Sequence, residues 1–218
     1  MSNQRKRSKV TEKPLIFPVS KDEVKAQIGL NDSYQDSFIE TLIAAATDFC
    51  ENYLGRKFID QELTLYLDKW IYETNDLFWN GTIQAPESIL TGRGWVELDW
   101  RPCQSITEIT TFDRTNNETI YDSSNYMLDN NDDDMLSRIW LNEGSVLPSN
   151  IRVVNGYKVR YRAGYGTAAS DVPAMIRQSI IMMVAFMFEN RGDCSDMGQS
   201  FIGSGVADLL NTYKTLKI

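Results

Sequence analysis

The spacing of apolar residues changes character several times along the chain, and each change predicts a different element. Residues 1–19 are polar and basic, then punctuated by Pro14 and Pro18, with no period that could bury a face. A flexible basic arm is expected there. Ser20 and Glu23 stand at capping-box spacing, in which each side chain satisfies the other residue's free backbone donor, and they predict a helix over about 21–28. Asn31, Asp32 and Ser33 offer caps for a second helix, in which Phe38, Leu42, Ala45 or Ala46, Phe49 and Tyr53 recur every three or four residues. Gly55 is placed to close that helix in the left-handed conformation, and alanines 44–46 leave room for a neighbouring helix.

From Phe58 to Arg162 the period falls to two. Leu63, Leu65 and Leu67 alternate with polar residues, as do Val96 and Leu98, and Ile106 and Ile109 stand among threonines. Asp113 to Glu118 reads as a hairpin loop, Asn155-Gly156 as a tight turn, and Tyr157, Val159 and Tyr161 as one face of a last strand. Residues 70–94, rich in Trp, Tyr and Gly without a period, predict a surface excursion. Asp171-Val-Pro173 then opens a third helix running to about Arg191, whose stretch Ile180–Phe188 is wholly apolar and so must be covered around most of its circumference. After Gly192 a polar tail ends in a short helix. The expected architecture is α+β: a helical layer from 20–56 and 168–191, a β-rich antiparallel module inserted at 57–167, and a C-terminal tail over 192–218.

Composition narrows what such a chain can do. With 42% hydrophobic and 24% charged residues among 218, the protein can bury a core. Its formal charge is −8, while residues 1–13 carry five positive charges and one negative, so the remainder is strongly acidic. An acidic body argues against wrapping nucleic acid, because phosphate neutralisation needs a basic face. The start lacks the apolar core of a secretory signal, and the longest apolar run, Ile180–Phe188, is about half a membrane span. Neither secretion nor membrane insertion is expected. Histidine is absent, which removes the commonest general base and metal ligand. Cys50, Cys103 and Cys194 show no CxxC spacing and imply buried thiols in a reducing compartment.

Two stretches superficially resemble ligand sites. Gly164-Tyr-Gly166-Thr-Ala-Ala169 matches a dinucleotide fingerprint, but the helix signals come later, at Asp171 and Pro173, and no strand follows that helix. A strand-to-helix turn is the expected role. Asp129, Asn131 and Asp133 alternate like the start of a calcium loop, but the sixth position is Asp134 rather than glycine and the twelfth is Trp140 rather than glutamate. A solvated acidic loop is expected. No catalytic residue, cofactor or metal site emerges. Arg5, Lys6, Arg7 and Lys9 remain as candidate contacts to DNA or to acidic protein, and a DNA- or protein-binding regulatory module is the alternative to a structural role.

Several pieces in one order carry a family resemblance. Pro18-Val-Ser-Lys-Asp-Glu-Val-Lys25, Asp36-Ser-Phe-Ile-Glu-Thr-Leu-Ile-Ala-Ala45 and Glu51-Asn-Tyr-Leu-Gly-Arg56 resemble the opening of the head-tail connector (adaptor, or head completion protein) family of tailed bacteriophages. Leu98 to Ile106 resembles its proline-containing strand, Val159 to Gly166 its last strand, and Asp171 to Ile180 with Phe188-Glu-Asn-Arg191 its late helix. The resemblance implies a virion protein, assembled in the host cytoplasm, with no catalytic residues. It implies a cyclic homo-oligomer of about a dozen copies that binds beneath the portal protein, extends the channel for double-stranded DNA, and receives a stopper or tail-completion protein. An acidic inner wall would keep DNA mobile. For portal docking the tail is the candidate, through Phe201, Ile202, Val206, Leu209, Leu210 and Tyr213, with packing of that tail on its own subunit as the alternative.

Overall fold

The structure, a computed structural model, describes residues 6–70, 95–130, 137–191 and 204–214. The chain forms two compact units, one from residues 1–13 and 61–163 and the other from 14–60 and 164–218. The first is built of strands and the second of helices, an α+β organisation.

In the β unit, β1 (Lys6–Glu12), β2 (Gln61–Leu67), β4 (Cys103–Phe112), β5 (Glu118–Tyr121) and β8 (Tyr157–Ala163) make one antiparallel sheet in the order β1-β2-β8-β4-β5. A second sheet, made of β3 (Trp95–Glu97), β6 (Tyr126–Asp129) and β7 (Arg138–Leu141), has the order β3-β7-β6. The period-two residues of both sheets meet in one core: Leu63, Leu65, Leu67, Val96, Leu98, Ile109, Ile139, Val159 and Tyr161 are all fully buried there. Ile106 and Ile109 stand an odd number of residues apart, yet both pair with core-facing residues, Tyr161 and Val159. A bulge between Ile106 and Glu108 supplies the extra residue that makes this possible.

Residues 6–12 do not form a free arm. They make the edge strand β1, paired with β2 from Lys6↔Leu67 onward. The arm's lack of apolar period misleads because an edge strand needs backbone partners more than buried side chains, and tolerates lysines well. Polar anchors complete the attachment: Lys6 Nζ donates to the Glu97 carbonyl at 2.9 Å, Thr11 and Thr64 hydroxyls lie 2.6 Å apart, and the Ser8 hydroxyl donates to the Asp99 carboxylate.

In the helical unit, α1 (Lys21–Ile28) carries the expected box, with Ser20 N donating to Glu23 Oε2 at 2.8 Å and Glu23 N to Ser20 Oγ at 3.2 Å. Helix α2 (Asp36–Leu54) begins later than Asn31–Ser33 suggested and has no side-chain cap. Its first residue, Asp36, instead pairs with Lys21 at 3.1 Å and Lys25 at 2.8 Å, which ties α1 to the positive end of the α2 dipole. Gly55 closes α2 at φ 66°. Helix α3 (Ala174–Glu189) and the short α4 (Ser204–Asn211) complete the unit. Ile39, Ile43, Ala46, Cys50, Ile176, Ile180, Met183 and Val184 form its centre. Coverage of α3 is incomplete: Phe186 and Met175 are about two-fifths exposed, at 45% and 38%. Of the excursion expected at 70–94 only Trp70 is described, and of the acidic loop at 129–134 only Asp129 and Asn130; the rest of both lies outside the described residues.

Candidate functional site

The groups that sequence reading marked for chemistry are engaged in structure. Cys50 and Cys103 are buried, and loss of water pushes both thiols up to about 12, so neither is a nucleophile near neutral pH. Cys194 lies outside the described residues. Glu51 is buried, and desolvation raises its carboxyl above the usual range even though Lys57 Nζ approaches its Oε2 to 2.6 Å and Phe58 N donates to its Oε1 at 3.0 Å. That carboxylate serves the α2–Phe58 connection. Among the described residues no group of three acidic or cysteine side chains could hold a metal ion. Asp129, from the calcium-like stretch, pairs with Arg138 at 3.1 Å.

The glycine run after β8 owes its composition to close packing. A Cβ on Gly164, whose φ is 144°, would stand 2.4 Å from Asp60 N, and one on Gly166 would stand 2.2 Å from Asp171 Oδ2. Asp171 Oδ2 meanwhile accepts a hydrogen bond from Ala168 N at 2.9 Å. The run is the turn that leads from the last strand toward α3.

The C-terminal candidates separate into groups. Val206 and Leu210 are buried in the helical core, 6% and 0% exposed, while Leu209 and Tyr213 are half-buried. Phe201 and Ile202 lie outside the described residues. The end of α4 is fastened by polar contacts as well. Arg56, itself buried, donates from Nε to the Tyr213 carbonyl and from Nη1 to the Tyr165 hydroxyl, both at 3.1 Å. Tyr53 donates to Asn211 Oδ1 at 2.9 Å, and Lys214 Nζ lies 4.5 Å from the Tyr53 ring centre. Arg56 belongs to the Glu51–Arg56 stretch that carried the family resemblance, and in the fold that stretch holds the tail helix in place.

The basic candidates are brought together with partners that sequence reading missed. Arg7 and Lys9 are exposed on β1, Lys6 is half-buried, and Arg5 lies outside the described residues. Lys158 and Arg160 of β8 share with Lys9, Thr11, Thr64 and Tyr66 the lining of a shallow depression of about 300 Å³. The alternation Lys158-x-Arg160-x-Arg162 was visible in the sequence, but its nearness to Arg7 and Lys9 depends on residues 6–12 joining the sheet.

The site is thus an α+β frame of a strand unit and a helical unit, in which Cys50 and Cys103 are buried and Glu51 is taken up by Lys57 and Phe58. The head completion protein family model matches residues 19–214, and the chain belongs to that family. Membership gives it a structural head-completion role. No curated protein matches the sequence. Among solved structures, a chain in the neck of an empty gene transfer agent particle, computed with C6 symmetry, is similar with a TM-score of 0.72 at 18% identity, covering 97% of each chain. A chain in the virion of the native gene transfer agent particle has a TM-score of 0.67 at 16% identity, over 95% of this chain and 97% of that one. A chain in the native neck computed with C12 symmetry has 0.63 at 18%, with the same coverage. At these identities the likeness is one of fold. No helix among the described residues is long and apolar enough to cross a membrane.

Proposed function

We propose that this chain is a non-enzymatic head-tail adaptor of a phage-like virion, acting as a closed ring of about a dozen copies beneath the portal. The ring extends the DNA channel and presents a docking surface to the next connector or tail protein. The family match over residues 19–214 carries this reading, and the fold likeness to neck chains of particles treated with C6 and C12 symmetry supports it. The charge of −8 suits a conduit, because a wall that attracted phosphates would hold the genome by counterion release.

For the portal contact the proposed segment is still the C-terminal one, with a division of labour. Val206 and Leu210 are occupied by the subunit's own core and Tyr213 packs against it, which leaves half-buried Leu209 as the described residue of the set open to a partner, while Phe201 and Ile202 stay in the proposal from outside the described residues. Electron microscopy of the purified protein mixed with its portal tests the reading. A ring on the narrow end of the portal is expected, and decoration by single copies or none would overturn it.

A further inference from the structure

Strand order and register give the outer face of the five-stranded sheet, the face turned away from its core, opposite charges at its two sides. One row across the sheet reads Arg7, Tyr66, Lys158, Thr110, Ile120, and the next reads Lys9, Thr64, Arg160, Glu108. Cations gather on the β1–β2–β8 side. Arg160 bonds Glu62 at 2.9 Å, whereas Arg7, Lys9 and Lys158 join no ion pair among the described residues. On the other side, Glu108 on β4 and the exposed Glu118 and Asp122 at the two ends of β5 make an acidic margin, with Ile120 between them 68% exposed. Four antiparallel steps separate β1 from β5, so both edge strands run in the same direction.

We infer that these are the two halves of the contact between neighbouring copies: the cationic β1–β2–β8 face of one copy receives the acidic β4–β5 margin of the next. The inference rests on the ring reading above. A closed ring needs head-to-tail contacts, and therefore two different, complementary faces on every subunit. This sheet carries both signs on one face, one at each side. A second copy fits the cationic half better than DNA does. Glu62 lies among the cations and takes up Arg160, and Glu108 stands across from Arg160, so two carboxylates interrupt the cationic run that a phosphate backbone would follow. The lysines of β1 discourage direct strand pairing at that edge, which makes side chains the means of contact. Opposite charges here would set register and partner choice more than raw affinity.

The test uses the full chain assembled on its own portal, with charge reversals at exposed or half-exposed positions and circular dichroism to verify folding. K9E/K158E and E118K/D122K should each raise the concentration needed for ring formation by about tenfold or more. The chain carrying all four substitutions, with both faces reversed, should recover assembly toward the wild-type level. Rings that form equally well in either double variant would overturn the inference and leave the ring reading standing. A K9E/K158E variant that assembles normally but retains less DNA would assign the face to DNA and likewise overturn it. Failure of the wild type to form any ring would remove both readings.

Discussion

Replacing Leu210 by alanine tests whether the tail helix belongs to the subunit or waits for a partner. Leu210 is fully buried against the helical core, and the substitution removes three carbons from water-excluded surroundings. At about 0.8 kcal/mol for each, the transfer cost is roughly 2.4 kcal/mol. The cavity left behind adds to it, which places the loss near about 3 kcal/mol. With a urea dependence of about 2 kcal/mol per molar, the unfolding midpoint of the helical unit should fall by about 1.5 M. Leu209, its half-buried neighbour, should cost under about 1 kcal/mol when cut to alanine. Far-ultraviolet circular dichroism is the appropriate probe. All five tryptophans fall between residues 70 and 140, inside the β unit, so fluorescence reports that unit instead. A Leu210→Ala midpoint within error of wild type would show α4 detached from the core in solution and would refute the reasoning.

Other outcomes follow from the same contacts. Asp113 is held down to about 2 from its ordinary 3.8, first by the Thr115 hydroxyl and then by the Asn117 amide. Because its folded value is the lower one, its stabilising effect is present above about pH 4 and is lost as pH falls toward 2; Asp113→Asn should therefore be less stable than wild type at neutral pH, with the difference closing over that window in parallel melts. Gly164→Ala should cost about 2 kcal/mol or more, measured by denaturant unfolding, since its Cβ would stand 2.4 Å from Asp60 N. Cys50 and Cys103, both buried with raised thiol values, should resist alkylation in the native protein and react after denaturation, as mass spectrometry of the modified peptides can follow.

Local chemistry with a strict geometric requirement was legible in the amino-acid order alone. The Ser20–Glu23 box, the Gly55 cap and the Leu63, Leu65, Leu67 row each have a mechanism that works within a few residues, and each is seen. What escaped depended on distant partners. Residues 6–12 became a strand because β2 offered a backbone ladder, and nothing in their own apolar spacing signals that. Helix α2 starts at Asp36, whose carboxylate meets two lysines of α1, a contact between helices that the cap residues Asn31–Ser33 do not signal. The tail stripe of Val206, Leu209, Leu210 and Tyr213 announced an amphipathic helix, yet which surface would take it could not be read. Two of its residues complete the subunit's own core, and buried Arg56 secures the end. The polar face that unites Lys9 with Lys158 and Arg160 is likewise a product of strand order.

Imaging the full chain bound to its portal by cryo-electron microscopy addresses the main claim most directly. A closed circle of copies continuing the channel at the portal's narrow end is expected, with the sheet of each subunit set against the sheet of the next. Solitary subunits on the portal, or an assembly in which adjacent copies do not touch, would contradict it.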